Sequence, residues 1–210
     1  MLWGIAEGLE RIHADGKVHK NLHGGNLLVD KKVYIGTRIS DVGLHGPCDR
    51  HENNQIYGVL PYIAPEILRG ENYSTASDIY SFAIVMNTLA TGKKPWYNRA
   101  HDINLVKDIC DGKRPEIPED TPPFYANLMQ QCWGNDPEKR PTASYLIEQL
   151  GEWINLIRVD PNPSEISVDY SVAEEKRRIM IRRFSETYTH PQIHPGAYYT
   201  SRFLDNINFG

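Results

Sequence analysis

The stretch His19-Lys20-Asn21-Leu22-His23-Gly24-Gly25-Asn26, with Asp41-Val42-Gly43 beginning fifteen positions after Asn26, decides the fold of this chain. Asn26 ends the first stretch with an amide, and Asp41 begins the second with a carboxylate. Asn21 stands inside the first stretch, and an amide does not accept a proton at neutral pH. The first stretch is therefore a polar, glycine-containing loop whose side chains include amides and imidazoles but no carboxylate.

Short β-forming runs follow the loop. Residues 27–29 and 33–35 surround Asp30-Lys31-Lys32 and predict a hairpin. Residues 44–56 are polar and contain Gly46 and Pro47, which predicts a mobile loop. Within it, His45-x-x-Cys48-x-x-His51 has the spacing of metal ligands. Three ligands in a flexible loop make a weak zinc signature, so a plain loop is the preferred interpretation.

Helical periodicity dominates the remainder of the first 157 residues. Apolar residues recur at helical spacing over residues 2–15, which predicts an amphipathic helix ended by Asp15-Gly16. The stretch 79–89 is apolar nearly all round and predicts a buried central helix, capped by Ser77 or Asp78 and stopped by Gly92. Further helices are predicted at 101–111, 123–133 and 142–157.

Composition and charge narrow the class of protein. The 210 residues are 40% hydrophobic and 24% charged, as expected of a soluble globular domain. A formal net charge of −4 argues against nucleic acid or an anionic membrane surface as the main partner. The three cysteines form no C-x-x-C pair, no apolar run reaches transmembrane length, and we expect no signal peptide. We therefore expect a cytoplasmic protein, with the nucleus as an alternative.

The composition changes near Pro161-Asn162-Pro163 and divides the chain into residues 1–157 and a tail, 158–210. The tail begins with charged residues around a few apolar ones, which predicts one charged helix at roughly 171–185. The last 25 residues are rich in His, Tyr, Asn and Pro and are expected to be poorly ordered. Tyr198-Tyr199 within them is a weak candidate for a docking or phosphorylation site.

Four more motifs agree in order and spacing with the first. They are Ala64-Pro65-Glu66, Ser77-Asp78 at the head of the central helix, Cys132-Trp133, and Pro137-x-x-Arg140-Pro141. Together with the loop, they resemble the C-terminal lobe of a protein kinase, most closely of the tyrosine-kinase-like group. The resemblance implies a mainly α-helical large lobe with small β hairpins near the catalytic loop.

The resemblance also implies roles for the site residues. Asn21 occupies the position of the catalytic base, Lys20 replaces the loop Arg, and His23 stands where Ser/Thr kinases place a Lys that touches the γ-phosphate. Asn26 and Asp41 are expected to hold Mg²⁺ and, through it, ATP. A protein substrate or partner is expected at the same face.

Four other residues are expected to build the lobe. His19 is expected to pack under the catalytic loop, and Asp78 to hold that loop's backbone. Glu66 and Arg140 are expected to form a buried ion pair. These expectations, like the preceding ones, come from the resemblance and not from spacing.

Two departures from the family pattern lead us to predict an inactive chain. Asn21 replaces the base, and no Gly-x-Gly-x-x-Gly loop or V-A-I-K lysine precedes Leu2, so we expect little affinity for ATP. The alternatives are a pseudokinase-type protein-binding module, and a fragment of a longer kinase in which Met1 is internal. The run 23–26 also resembles the His-x-Gly-Asn of choline and aminoglycoside kinases, which lack the Ala-Pro-Glu and Arg-Pro motifs and are therefore less favoured.

Overall fold

A computed structural model describes residues 1–29, 37–41, 56–159, 163–187 and 192–204. The mainly α-helical fold predicted for a kinase large lobe is confirmed. The helices are α1 Leu2–Ala14, α2 Pro65–Leu68, α3 Thr75–Thr91, α4 Ile103–Cys110, α5 Pro123–Cys132, α6 Ala143–Val159 and α7 Glu165–Thr187. Among the described residues, no helix has both the length and the apolar character needed to cross a membrane.

Two small antiparallel sheets accompany the helices in the described part of the chain. β1 (Leu27–Leu28) pairs with β2 (Arg38–Ile39), and β3 (Tyr57–Gly58) pairs with β4 (Arg202–Phe203). The sequence placed the hairpin partner of the first run at residues 33–35, which lie outside the described residues, as do His45, Cys48 and His51. The described partner of β1 lies farther along the chain and ends two residues before Asp41.

Helix α3 is the centre of the lobe, as its sequence predicted. Every residue from Ser77 to Asn87 is buried, because the apolar character runs all round the helix. The N-cap is Ser74 and not Ser77 or Asp78, so that prediction was wrong by one helical turn. The reason is that Ser77 Oγ donates to the Ser74 carbonyl at 2.7 Å, while the carboxylate of Asp78 is engaged elsewhere.

Helix α1 packs against α6 and presents its apolar face to the core. Ile5, Ala6 and Leu9 are completely buried there, as the periodicity of residues 2–15 predicted. The helix ends at Ala14, and Gly16 follows with a φ of 68°, a conformation that glycine adopts without steric cost. The chain then runs from the end of α1 into the loop that begins at His19.

The tail differs from the sequence expectation. The charged helix α7 is longer than the predicted 171–185. Beyond it, the described residues 192–204 lie on the lobe and contribute β4, where we expected little order. Leu204 is only 4% exposed, and its N–H donates to the Ile56 carbonyl at 2.9 Å. The composition of the tail did not predict this ordered segment, because the element that stabilises it, the open edge of β3, is remote in sequence.

Candidate active site

Asp78 positions the polar loop. Its Oδ2 accepts a hydrogen bond from the His19 N–H at 2.7 Å, and its Oδ1 accepts one from the Lys20 N–H at 2.9 Å. His13 Nε2 lies 2.9 Å from the same Oδ2. Asp78 is 1% exposed, so these bonds replace the water that its carboxylate gives up on burial. The role expected from the resemblance is thus present in the geometry.

Two residues of the candidate site, Lys20 in the loop and Asp41 beside it, have strained backbones. Lys20 has a φ of 66° and Asp41 a φ of 69°, and among the described non-glycine residues only Trp96 is also positive. A side-chain-bearing residue in this region costs free energy of order 1–3 kcal/mol. Such residues concentrate at functional sites, and here two of the three belong to the candidate site.

Asp78→Asn is expected to lower the free energy of unfolding by about 1.5–3 kcal/mol, the range for hydrogen bonds to a charged group. The oxygen of the new amide can keep the hydrogen bonds with His19 and His13. Its NH₂ group then faces the Lys20 N–H, and two donors cannot form a hydrogen bond. Urea unfolding measures the change. Asp15→Asn is the matched control, since the Asp15 side chain is 68% exposed and should be nearly neutral. Equal midpoints for wild type and Asp78→Asn would contradict the anchoring role.

His19 lies beneath the loop, at 2% exposure. Its Nδ1 accepts from the Asn21 N–H at 3.3 Å, and its Nε2 lies 3.0 Å from the Ser40 carbonyl oxygen. The ring therefore connects the loop to the segment that carries Asp41. Its contacts are those of a structural residue.

Asn26 and Asp41, the predicted metal pair, lie side by side. The Asn26 Nδ2 donates to the Asn21 carbonyl at 2.8 Å and lies 3.4 Å from Asp41 Oδ2. With its nitrogen engaged by the loop, the Asn26 side chain has its oxygen left for a cation. One amide oxygen and one carboxylate fit Mg²⁺, which is usually bound by one or two carboxylates together with water and substrate phosphates. In the described ranges, no three His, Cys, Asp or Glu side chains are grouped to hold a metal.

Asn21 and His23 converge on a residue that the sequence did not single out. Asn21 Nδ2 donates to the Ser201 Oγ at 2.9 Å, and the Asn21 Oδ1 lies 3.3 Å from the same hydroxyl. His23 Nε2 lies 2.9 Å from it. The β-prone run Tyr-Tyr-Thr-Ser-Arg-Phe at 198–203 was the available signal for a strand here.

Gly58 lets the backbone of β3 approach this site closely. Its φ is 150°, and a Cβ placed there would lie 3.3 Å from Asn21 Oδ1. A larger residue would therefore be strained in its backbone and would crowd the Asn21 amide. The sequence did not predict a role for Gly58, because this glycine belongs to none of the recognised motifs.

The two basic side chains of the loop, His23 and Lys20, are not arranged as contact with a phosphate group requires. Burial lowers the pKa of His23, the nearby His19 lowers it further, and Asp41 opposes the shift. The imidazole is accordingly neutral near pH 7. The Lys20 ammonium lies 5.6 Å from the centroid of the Tyr73 ring, in a cation–π contact. The structure therefore joins Asn21 and His23 at one hydroxyl and directs Lys20 towards Tyr73.

Glu66 and Arg140 form the buried ion pair that the resemblance implied. Arg140 Nη1 and Nη2 donate to the two Glu66 carboxylate oxygens at 2.6 and 2.7 Å. The side chains are 4% and 0% exposed. This bidentate pair joins α2 to the segment before α6.

A family model described as protein tyrosine and serine/threonine kinase matches residues 1–150. The chain belongs to this kinase family. The match covers the loop, the metal pair, the Glu66–Arg140 pair and α3. The resemblance to the tyrosine-kinase-like group that the motifs predicted is confirmed.

Curated relatives are serine/threonine kinases. A probable serine/threonine-protein kinase of Dictyostelium discoideum is 34% identical over 148 residues, 70% of this chain and 9% of that protein. Serine/threonine-protein kinase CTR1 of Arabidopsis thaliana is 33% identical over 172 residues, 79% of this chain and 20% of CTR1. A putative serine/threonine-protein kinase/receptor of Acanthamoeba polyphaga mimivirus is 33% identical over 152 residues, with 71% and 9% coverage. This kinase lobe thus spans at most a fifth of the length of these three relatives.

Proposed function

We propose that this chain is a catalytically impaired protein-kinase lobe, which retains the acceptor side and the metal pair of the family site. The observation that carries the proposal is the 2.9 Å hydrogen bond from the Asn21 amide to the Ser201 hydroxyl. In a kinase, the residue at this position is an Asp that accepts the proton of the substrate hydroxyl. Here the Asn21 Nδ2 donates a hydrogen bond to the hydroxyl, and the Asn21 Oδ1, which accepts one from it at 3.3 Å, cannot take up the proton at neutral pH.

The loss of the base lowers the rate of phosphoryl transfer by an amount that can be estimated. General-base assistance contributes about 10²–10⁴-fold to a rate, whereas most kinase catalysis comes from positioning and electrostatics. The Asn21 amide still positions a hydroxyl, because both of its polar atoms lie within 3.3 Å of Ser201 Oγ. Slow residual transfer is therefore compatible with the proposal, and efficient transfer is not.

The phosphate side of the site supports the same conclusion. A neutral His23 supplies no positive charge to a transferring phosphoryl group, and the Lys20 ammonium is engaged with Tyr73. Asn26 and Asp41 would hold Mg²⁺, which neutralises the charge on the phosphates during transfer.

A phosphoryl-transfer assay tests the proposal. The full chain is incubated with Mg-ATP and a protein acceptor, beside Asp41→Ala and an active serine/threonine relative. We expect a wild-type rate at least about 10²-fold below that of the active relative, since the general base is missing. A wild-type rate within tenfold of the active relative, abolished by Asp41→Ala, would overturn the proposal. Asp15→Ala, at an exposed position, controls for the effect of removing a carboxylate.

A protein-binding module is the second candidate function. The pairing of β4 with β3 supports it, because this edge of the lobe accepts an extended polypeptide strand. A pure binding module would not gain activity from a restored base. The Asn21→Asp variant therefore separates the two candidates.

A further inference from the structure

Residues 194–204, called here the tail segment, cross the face of the lobe where a protein acceptor would bind. Four elements of the lobe contact them: the loop at Asn21 and His23, strand β3, the turn at Pro95, and His101 before α4. We call this surface the acceptor groove. The definition rests on the proposed function, because Asn21 marks the acceptor position only in a kinase-type site.

The tail segment is held as an added strand. Gly58 pairs with Arg202 and Tyr57 with Phe203 in antiparallel register, and Leu204 N–H donates to the Ile56 carbonyl at 2.9 Å. The rings of Tyr57 and Phe203 meet edge to face, with their centroids 5.0 Å apart. Main-chain pairing at an open edge is a general way to bind extended peptides, with side-chain pockets adding selectivity.

Ser201 lies where the acceptor hydroxyl of a substrate belongs. Its Oγ is 2.9 Å from both Asn21 Nδ2 and His23 Nε2. A catalytic base lies about 2.6–3.2 Å from the proton-bearing atom that it serves. The Asn21 Nδ2, which an Asp at this position would replace with a carboxylate oxygen, lies at such a distance from Ser201 Oγ. The tail segment therefore has the strand register, and the hydroxyl position, of an acceptor peptide.

A second group of contacts fixes the segment upstream of Ser201. The Tyr199 hydroxyl donates to the Pro95 carbonyl at 2.8 Å, and its ring meets the His101 ring edge to face at 4.9 Å. The His101 N–H donates to the Gly196 carbonyl, and the His194 N–H to the Tyr97 carbonyl, both at 2.8 Å. Gly196 fits closely, since a Cβ there would lie 3.0 Å from the Ala100 Cβ.

We propose that the tail segment is the intramolecular occupant of the acceptor groove, with Ser201 as the stand-in for a substrate hydroxyl. The groove binds an extended polypeptide that places a hydroxyl residue between two aromatic residues, as Tyr199 and Phe203 flank Ser201. Because the Asn21 amide accepts a hydrogen bond from Ser201 but cannot take up its proton, the segment remains a bound ligand and is not phosphorylated. A peptide from another protein must displace it.

The tail segment has an advantage over a free peptide, because the segment and the groove belong to the same chain. A segment that belongs to the same chain as its site binds intramolecularly, and such linkage can raise its effective concentration to the millimolar range. A free peptide that makes the same contacts must reach similar concentrations before it occupies half of the sites. The wild-type groove is accordingly closed to weak peptides, and a change that detaches the tail segment opens it.

Peptide binding to the full-length chain tests this inference. The probe is a fluorescent peptide of residues 194–204, and its binding is followed by anisotropy. Leu204→Asp should detach the tail segment, because Leu204 is 4% exposed and a charge there has no described partner. We expect this variant to bind the probe at least tenfold more tightly than wild type. Val168→Asp is the matched control, since Val168 is 47% exposed on α7.

A second variant covers the case in which Leu204→Asp fails to fold. Gly196→Val places a branched side chain against Ala100 and leaves the core around Leu204 intact. It should give the same gain in probe affinity. A probe with Ser201→Ala should bind either detached variant roughly two- to tenfold more weakly, the effect of one lost hydrogen bond.

Hydrogen exchange provides the direct readout of the bound tail. The amides of His101 and Leu204 donate to the partners described above and should exchange slowly in wild type and faster in both variants. Fast exchange of both amides in wild type, or equal probe affinity for wild type and the two variants, would overturn the inference. If a detached variant phosphorylated the probe in an Asp41-dependent reaction, the proposed impairment would fail while the occupancy of the groove would stand.

Discussion

Arg140→Met is expected to lower the free energy of unfolding by about 3–5 kcal/mol, the cost of leaving one partner of a buried ion pair without the other. Glu66 would keep its carboxylate at 3% exposure with neither guanidinium hydrogen bond. Arg140 also donates to the carbonyls of Gly134 at 2.9 Å and Ala76 at 3.0 Å, and these acceptors would lose their partner as well. Methionine preserves most of the side-chain length, so the loss is mainly electrostatic.

Urea unfolding monitored by circular dichroism measures the change. The matched control is Arg11→Gln, which removes the pair with Glu7 on the surface of α1, where the side chains are 77% and 37% exposed. An exposed pair of this spacing contributes only about 0.3–0.5 kcal/mol. If the two variants lost similar free energy, the buried pair would not stabilise the lobe in the way that its geometry indicates.

Asn21→Asp is expected to raise phosphoryl transfer by about 10²–10⁴-fold over wild type, the usual contribution of a general base. Ser201 Oγ lies 2.9 Å from the Asn21 side chain, so it is the acceptor already in place. In the reaction, the γ-phosphoryl of ATP moves to Ser201 Oγ, the serine proton passes to the new carboxylate, and ADP leaves. Incubation at millimolar Mg-ATP followed by peptide mass spectrometry detects the phosphate on Ser201.

Three further variants make this result interpretable. Asn21→Leu, which is similar in size and cannot accept a proton, should show no gain. Asp41→Ala in the Asn21→Asp background should abolish the gain, since the metal pair is then broken. Ser201→Ala in the same background should remove the phosphate from that peptide. A wild-type rate equal to that of Asn21→Asp would contradict the impairment, and no gain in any acceptor would favour the protein-binding module.

The local sequence was sufficient to predict the helices, because the spacing of apolar residues that indicates a helix is a property of neighbouring residues. The periodicity of residues 2–15 and the apolar run 79–89 reflect the 3.6-residue repeat of a helix and the burial of α3 on all sides. The N-cap of α3 was misplaced because Ser74, Ser77 and Asp78 are all good capping residues. Which of them caps the helix depends on the use of Asp78 by the loop at His19, a contact across 59 positions of the chain.

The sequence by itself determined the family, the mainly helical lobe, and the amide at the base position, because motifs and periodicities are properties of neighbouring residues. Only the tertiary structure decided what faces Asn21. Ser201 is 180 residues away in sequence, and its place depends on the open edge of β3 and on the Pro95 and His101 contacts. No local pattern carries such a pairing, because an extended strand is stabilised by whichever edge it meets, and that edge exists only once the lobe has folded.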